Sequence, residues 1–348
     1  MRKVISVVLI MAMCMSFVLC GCGSKYDGEV NVYNWGEYID ESIFDDFEKE
    51  YNIKVNYSTF NSNEALYSVL KNGGASYDVI VPSDYMISRM INEDMLEKLD
   101  FSNIPNYANV SDNYKNLEYD PTGEYTVAYL WGTVGLIYNT AMIDEEITSW
   151  TALFDEKYSG DILMFDNSRD ALAIALLTLG YSVNTTDEGE LREAYDLLKN
   201  GKDGFQAFVM DQIFDKLESG EAAIGPYYAG DYVTMVENNP DLAFVLPDEG
   251  TTRFVDAMCI PKGCENKENA EKFINFMCEN EISMRNMDEV GYASPIDEVC
   301  EEYAADLDED IANVMFPDSE YLSGLEVFKI LPQEALNLYD ELWVDLKA

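Results

Sequence analysis

The residues best suited to chemistry in this chain lie close together near its start. In Val30-Asn31-Val32-Tyr33-Asn34-Trp35-Gly36-Glu37-Tyr38, aromatic side chains flank a carboxylate and a glycine. Flat rings beside an acid suit the rim of a pocket for an organic cation, which ring faces and carboxylates both attract. Trp35 and Tyr38 also suit core positions, and Glu37 also suits a solvated loop or a backbone amide, so this segment alone leaves both readings open. The 348-residue chain contains no histidine, which removes Ser-His-Asp and Cys-His nucleophile systems and histidine-ligated metal sites. Carboxylate-pair glycoside hydrolysis passes that filter, but it needs two acids facing one sugar bond with separated pKa values, and no spacing singles out such a pair. No metal or cofactor is expected.

Lys and Arg number 22 against 66 Asp and Glu, a formal net charge of -44. A field of that sign makes nucleic acid an implausible partner, concentrates cations and repels anionic ligands. Most of these acids serve solubility, and only those that end in a cleft can matter for binding.

The first element to place is the N-terminus, where basic Met1-Arg2-Lys3 precedes an apolar run over 4–19, the order of a secretory signal. Leu19-Cys20-Gly21-Cys22 resembles a bacterial lipobox, which would make Cys22 the lipidated N-terminus after cleavage of 1–22, with 23–28 as a polar tether. An ordinary signal with a chance cysteine is the plainer alternative. Of seven cysteines, Cys259, Cys264, Cys278 and Cys300 would remain in the fold, and their spacing fits no zinc pattern. Free thiols, or one adventitious bridge, are expected of a chain this long.

The elements that must position the aromatic and acidic residues alternate from Val30 onward. Strands are expected over 30–33, 54–57 and 77–81, with helices over 40–51, 61–71 and 85–93 between and after them. Asn61 with Glu64 reads as a capping box, and Gly73-Gly74 as the stop. This is an α/β rhythm with a parallel sheet, and ligands bind such sheets at the carboxyl ends of the strands, where Trp35 would lie. Residues 125–139 form two β-rich stretches interrupted by Gly132, suiting a strand that crosses between domains, and 254–261 would cross back. A second α/β unit follows the first crossing, with strands over 161–164, 222–225 and 242–246 and helices over 169–179 and 188–199. Helices are expected over 267–279 and 333–346. The result is a clamp with a cleft at its hinge, with domain 1 over 29–132 plus 255–303 and domain 2 over 133–254 plus 304–348.

At this point the residues match a family. Tyr33 to Tyr38, Tyr57 to Glu64, Tyr77 to Tyr85, Leu179 to Asp187 and Gly291-Tyr292-Ala293-Ser294-Pro295 together resemble the spermidine/putrescine-binding proteins of polyamine ABC transporters. The resemblance runs from about Val30 to the C-terminus. It implies a bilobed periplasmic-binding-protein type II fold, no catalysis, and a polyamine handed to permease subunits. It also implies an exported monomer, anchored by lipid to the outer face of the cell membrane, in the periplasmic space if the cell is Gram-negative. The family's cleft implies Trp35, Glu37, Tyr38, Ser83, Tyr85, Asp170, Asp256 and Tyr292 as ligand residues, with Asn167, Tyr228 and Phe254 at further cleft positions.

Several positions depart from the better-known pattern. Gly36 stands where threonine is common, Asn167 at an acidic position, Tyr228 and Phe254 at tryptophans, and Phe328 at a glutamine. Asn167 could still accept a hydrogen bond through its carbonyl oxygen but supplies no charge, so a weaker hold on one amine is expected. Duller roles stay open: Asp170 as a first-turn helix acid, Ser83 as the cap of the helix after it, Asp256 as a satisfied structural acid. Met210 and Asp211 precede another helix and are read as facing the cleft. The rival functions are a surface adhesin or structural lipoprotein of the same fold, and the glycosidase.

Overall fold

Apolar side chains alternate from Val30 to Tyr33 and bury both faces of a strand that pairs with two parallel neighbours. In the computed structural model, which describes residues 25–73 and 76–348, this is β1 (Gly28–Trp35), lying between β2 (Ile53–Phe60) and β3 (Val79–Ile80). The expected signal, lipobox and Cys22 lie outside the described residues, as does Gly74. Six further strands follow: β4 (Thr126–Asn139), β5 (Ile162–Phe165), β6 (Phe205–Val209), β7 (Ile224–Tyr228), β8 (Leu242–Val245) and β9 (Arg253–Cys259). They run in the order β2-β1-β3-β9-β4-β7-β5-β6, with β8 beside β4.

The long strand β4 ties the molecule together. Its first half, Thr126 to Thr133, pairs with β9, and its second half, Val134 to Asn139, turns to β7 and β8. All 14 of its residues are buried, as expected of a strand covered on both faces. One large apolar core takes in its first half and a second its second half. One gathers Val30, Phe47, Phe273 and Tyr292, and the other Leu136, Trp150, Phe165, Leu176 and Tyr339. The sheet is mixed rather than parallel throughout: β1, β2 and β3 are parallel, as are β5, β6 and β7, whereas β9 runs antiparallel to both β3 and β4. A chain that crosses on one strand and returns on its neighbour must run against itself, which the α/β rhythm of the sequence does not reveal.

Two local expectations are corrected. The helix Asn63–Lys71 is capped by Ser62, whose hydroxyl accepts the Ala65 N–H at 3.1 Å, and not by Asn61. Glu64 therefore closes no capping box, and instead accepts from the Tyr85 hydroxyl at 3.0 Å. Strand β6 was not expected, because Gln206 interrupts its short apolar run. The four cysteines of the fold are free thiols, with Cys259 and Cys278 buried. Among the described residues no helix is long and apolar enough to cross a membrane.

The cap makes a direct test. Ser62→Ala should cost about 1 kcal/mol of stability, while Asn61→Ala should change it by less than about 0.5 kcal/mol. Urea unfolding of the two variants checks this, and equal losses would return the cap to Asn61.

Candidate ligand-binding site

Asp256 stands in β9 where the sheet passes between the two cores. It is 4 % exposed, forms a bridge with Ser83, and its Oδ1 has no hydrogen-bond partner. Burial pushes its carboxyl up to about 6, against the pull of the neighbouring Ser83 and Tyr38 hydroxyls. Ser83 occupies the N-cap position of the helix Asp84–Asn92, yet its side chain makes no cap bond and faces Asp256 instead. Its own backbone N–H is held by Asn63 Oδ1 at 3.1 Å, which ties the loop to the neighbouring helix.

The end of β1 supplies two more polar groups. Trp35 Nε1 is buried without a hydrogen-bond partner, and the buried Tyr38 hydroxyl faces Asp256 without completing a well-formed hydrogen bond. The indole packs on Phe60 at 4.6 Å, and the Tyr38 ring meets Tyr129 at 5.6 Å and Tyr292 at 5.1 Å. A row of rings continues from Tyr292 to Phe254 at 5.8 Å and from Phe254 to Tyr228 at 5.6 Å, reaching the start of the second core. Two glycines make room for it. A Cβ on Gly132 would lie 3.0 Å from Phe254, and one on Gly230 would lie 2.4 Å from the Tyr292 ring.

On the far side, Asp170 sits in the first turn of the helix Ser168–Thr178. Its Oδ2 accepts from Asn167 at 2.7 Å and from the Tyr228 hydroxyl at 3.0 Å. Burial raises its pKa, and those two donors and Arg169 oppose the rise. Asn167 caps this helix, its Oδ1 accepting the Asp170 N–H at 2.8 Å. Its carbonyl oxygen thus already accepts one hydrogen bond and has a second lone pair left, while its amide N–H₂ orients Asp170 and also reaches Met210 Sδ at 3.8 Å.

Of the residues singled out in the sequence, Ser83, Asp256, Tyr38, Tyr292, Phe254, Tyr228 and Asp170 follow one another in contact, while Trp35 packs on Phe60 and Tyr85 on Phe328. Glu37 does not join them: it is exposed, with a left-handed backbone at φ 48°. Asp211 accepts from the Tyr227 hydroxyl at 3.2 Å. Three charged groups were missed. Asp231, in the first turn of the helix Ala229–Asn238, accepts from the Tyr292 hydroxyl at 2.7 Å, and burial raises it to about 7. Asp84 is 3 % exposed and raised to about 8 by burial and by Asp256. Arg169 is 8 % exposed among Phe328, Tyr339 and Tyr85. Both acids look like routine first-turn residues in a sequence, and only the crossing strands bring them to the cleft. Among the described residues no group of three or more His, Cys, Asp or Glu side chains is arranged to hold a metal.

Buried acids strung along aromatic rings, between two α/β lobes that share crossing strands, define a type II solute-binding protein. Residues 75–324 match the family described as bacterial extracellular solute-binding protein, and residues 1–145 match a hypothetical lipoprotein family. The spermidine/putrescine-binding periplasmic protein of Escherichia coli is 33 % identical over 322 residues, covering 91 % of this chain and 90 % of its own. A solved Listeria monocytogenes protein described as a spermidine/putrescine ABC transporter is 38 % identical with a TM-score of 0.86, over 92 % of this chain and 98 % of that one. The substrate-binding protein PotD of a spermidine/putrescine ABC transporter from Streptococcus pneumoniae is 35 % identical with a TM-score of 0.80, over the same shares. The chain belongs to the bacterial extracellular solute-binding protein family.

The three raised carboxyls carry a stability consequence. Asp84, Asp231 and Asp256 hold protons in the folded chain that the unfolded chain gives up near its ordinary value of 3.8. The folded state binds more protons across that window, so stability falls as pH rises from about 4 to about 8. The thermal midpoint of the unliganded protein should be lower at pH 8 than at pH 5.5, and Asp84→Asn with Asp256→Asn should flatten the difference. A midpoint that holds or rises over that interval would contradict the burial of these acids.

Proposed function

We propose that the chain is the substrate-binding component of a polyamine ABC importer, capturing its ligand between two closing lobes and passing it to the permease. The carrying observation is Asp256: a carboxylate buried at the crossing strands, with one oxygen unpartnered and the Ser83 and Tyr38 hydroxyls beside it. An ionised acid so placed needs a cation, and a neutral or anionic ligand would leave it unsatisfied. A polyamine matches the rest, because its ammonium groups are separated by methylene runs. Asp256, Asp170 and Asp231 would take ammonium groups, while Tyr38, Tyr292, Phe254 and Tyr228 would cover the methylenes. Each charge-assisted hydrogen bond contributes about 1.5–3 kcal/mol, and each ring face over a cation about 0.5–2 kcal/mol. Two or three such anchors offset the cost of ordering a flexible ligand and reach about micromolar affinity, near -8 kcal/mol.

The lobes in this reading are 29–132 plus 255–303 and 133–254 plus 304–348, hinged at β4 and β9. Cys22 carries the lipid, so a monomeric receptor sits on the outer face of the cell membrane beside its permease, within the periplasm in a Gram-negative cell. Spermidine and putrescine appear in the names of the relatives above, which supports the ligand class. No bond is made or broken in this account. The adhesin and glycosidase readings draw no support from the relatives, which are named for binding and transport.

Isothermal titration with putrescine, spermidine and spermine tests the proposal. Saturable one-to-one binding of at least one of them is expected. Asp256→Asn should weaken it by 30-fold or more, about 2 kcal/mol, whereas Glu37→Gln should change it by less than about 3-fold. No heat with any of the three at millimolar concentration, or an Asp256→Asn variant that binds like the parent, would overturn the ligand assignment.

A further inference from the structure

Two buried groups of opposite charge flank the site without serving each other. Asp84 Oδ1 accepts the Tyr85 N–H at 2.6 Å, but Oδ2 has no hydrogen-bond partner. Arg169 Nε and Nη1 have none either, and Nη2 reaches only Asn184 Oδ1 at 3.3 Å. A guanidinium and a carboxyl stripped of water and left unpaired are among the costliest arrangements a fold can hold. Arg169 is also misplaced for its own helix, since it is the second residue of Ser168–Thr178, at the end where the helix dipole disfavours a cation. Its aromatic surroundings show where it points: the guanidinium carbon lies 4.5 Å from the Phe328 ring centroid, 5.3 Å from Tyr339 and 5.7 Å from Tyr85. Tyr85 follows Asp84 in the chain and belongs to the opposite side of the cleft. The Tyr85 and Phe328 rings already meet edge to face at 6.3 Å.

We propose that Asp84 and Arg169 are a positioning pair, which joins as an ion pair across the cleft when the lobes close on a ligand and locks Tyr85 and Phe328 into one wall of the site. The closure rests on the ligand-capture reading above. Neither residue touches the ligand in this account: Arg169 supplies the platform on which the two rings sit, and Asp84 supplies its counter-charge from the other lobe.

A proton must move for the pair to form. The groups that face Asp84 are Asp256 from β9, Arg169 from the second lobe and the Tyr119 hydroxyl, with the backbone N–H groups of Tyr85 and Val255. Burial and Asp256 hold Asp84 protonated at neutral pH, and Arg169 pulls the other way. Direct contact with the guanidinium favours the carboxylate, so the O–H bond of Asp84 breaks and its proton leaves for the solvent. Arg169 stays charged throughout. A purely structural Asp84 would lose stability on substitution but would not change the protons released on binding.

The test is titration of the full-length protein in detergent with putrescine and with spermidine at pH 7, each in two buffers of unlike ionisation heat. Relative to the parent, Asp84→Asn should release about one proton fewer per ligand. Asp84→Asn and Arg169→Met should each weaken binding roughly 10-fold, with the double variant no weaker than either single one. Methionine keeps the apolar stem among Phe328 and Tyr339, which guards against simple misfolding. Unchanged proton release in Asp84→Asn, or additive losses, would overturn the pair. If the parent binds neither polyamine, the ligand assignment falls and the closure that would join the pair falls with it, whereas binding by the parent with additive losses removes the pair alone.

Discussion

The structure depends on a carboxylate kept from water without a fixed cation beside it. Asp256 is held on β9, one of two strands that both halves of the molecule share, so its discomfort is felt at the joint between them. A buried acid in a rigid core would recruit an arginine and disappear from function. Here its nearest polar neighbours are hydroxyls, which soften the penalty without removing it. In the proposed reading the missing charge comes from the ligand, and its arrival is linked to closure because groups from both lobes bear on the same cleft.

The aromatic row is the second half of the same arrangement. Rings spaced 5.1 to 5.8 Å apart from Tyr38 through Tyr292 and Phe254 to Tyr228 lower the local polarity, which strengthens any charge interaction made among them. They also offer flat faces to a flexible aliphatic ligand. Gly132 and Gly230 are the backbone's contribution, since a methyl at either would meet Phe254 or Tyr292. The hydroxyls of Tyr228 and Tyr292 turn outward from the row to Asp170 and Asp231, so each ring that lines the cleft also orients an acid.

Much of this was legible in the residues themselves. The interruption of 125–139 at Gly132 announced the crossing strand, and the β-rich return placed Asp256 opposite it. The aromatic run that ends β1 and enters the next loop drew attention to Trp35 and Tyr38. What was not legible has a common cause. Asp84 and Asp231 each open a helix, where an acid is favoured by the dipole alone, so nothing local marks them as facing a cleft. Arg169 is the reverse case, a cation in a first turn where the dipole disfavours it, and that local signal was passed over. Asn167 carries roles that its reading as a weakened ligand did not foresee: its carbonyl oxygen caps a helix and its amide N–H₂ steers Asp170. Glu37, read as a site acid, stands exposed at a left-handed turn beside the buried Tyr38 ring. The antiparallel register of β9 decides which of these side chains meet, and it belongs to tertiary pairing rather than to any one segment.

The most direct test of the central claim is a crystal structure of the protein grown with spermidine or putrescine. The account requires an ammonium nitrogen within hydrogen-bonding distance of Asp256 Oδ1 and ligand methylenes against the rings of Tyr38, Phe254 and Tyr292. A polyamine bound elsewhere on the acidic surface, with Asp256 still unpaired, would contradict it.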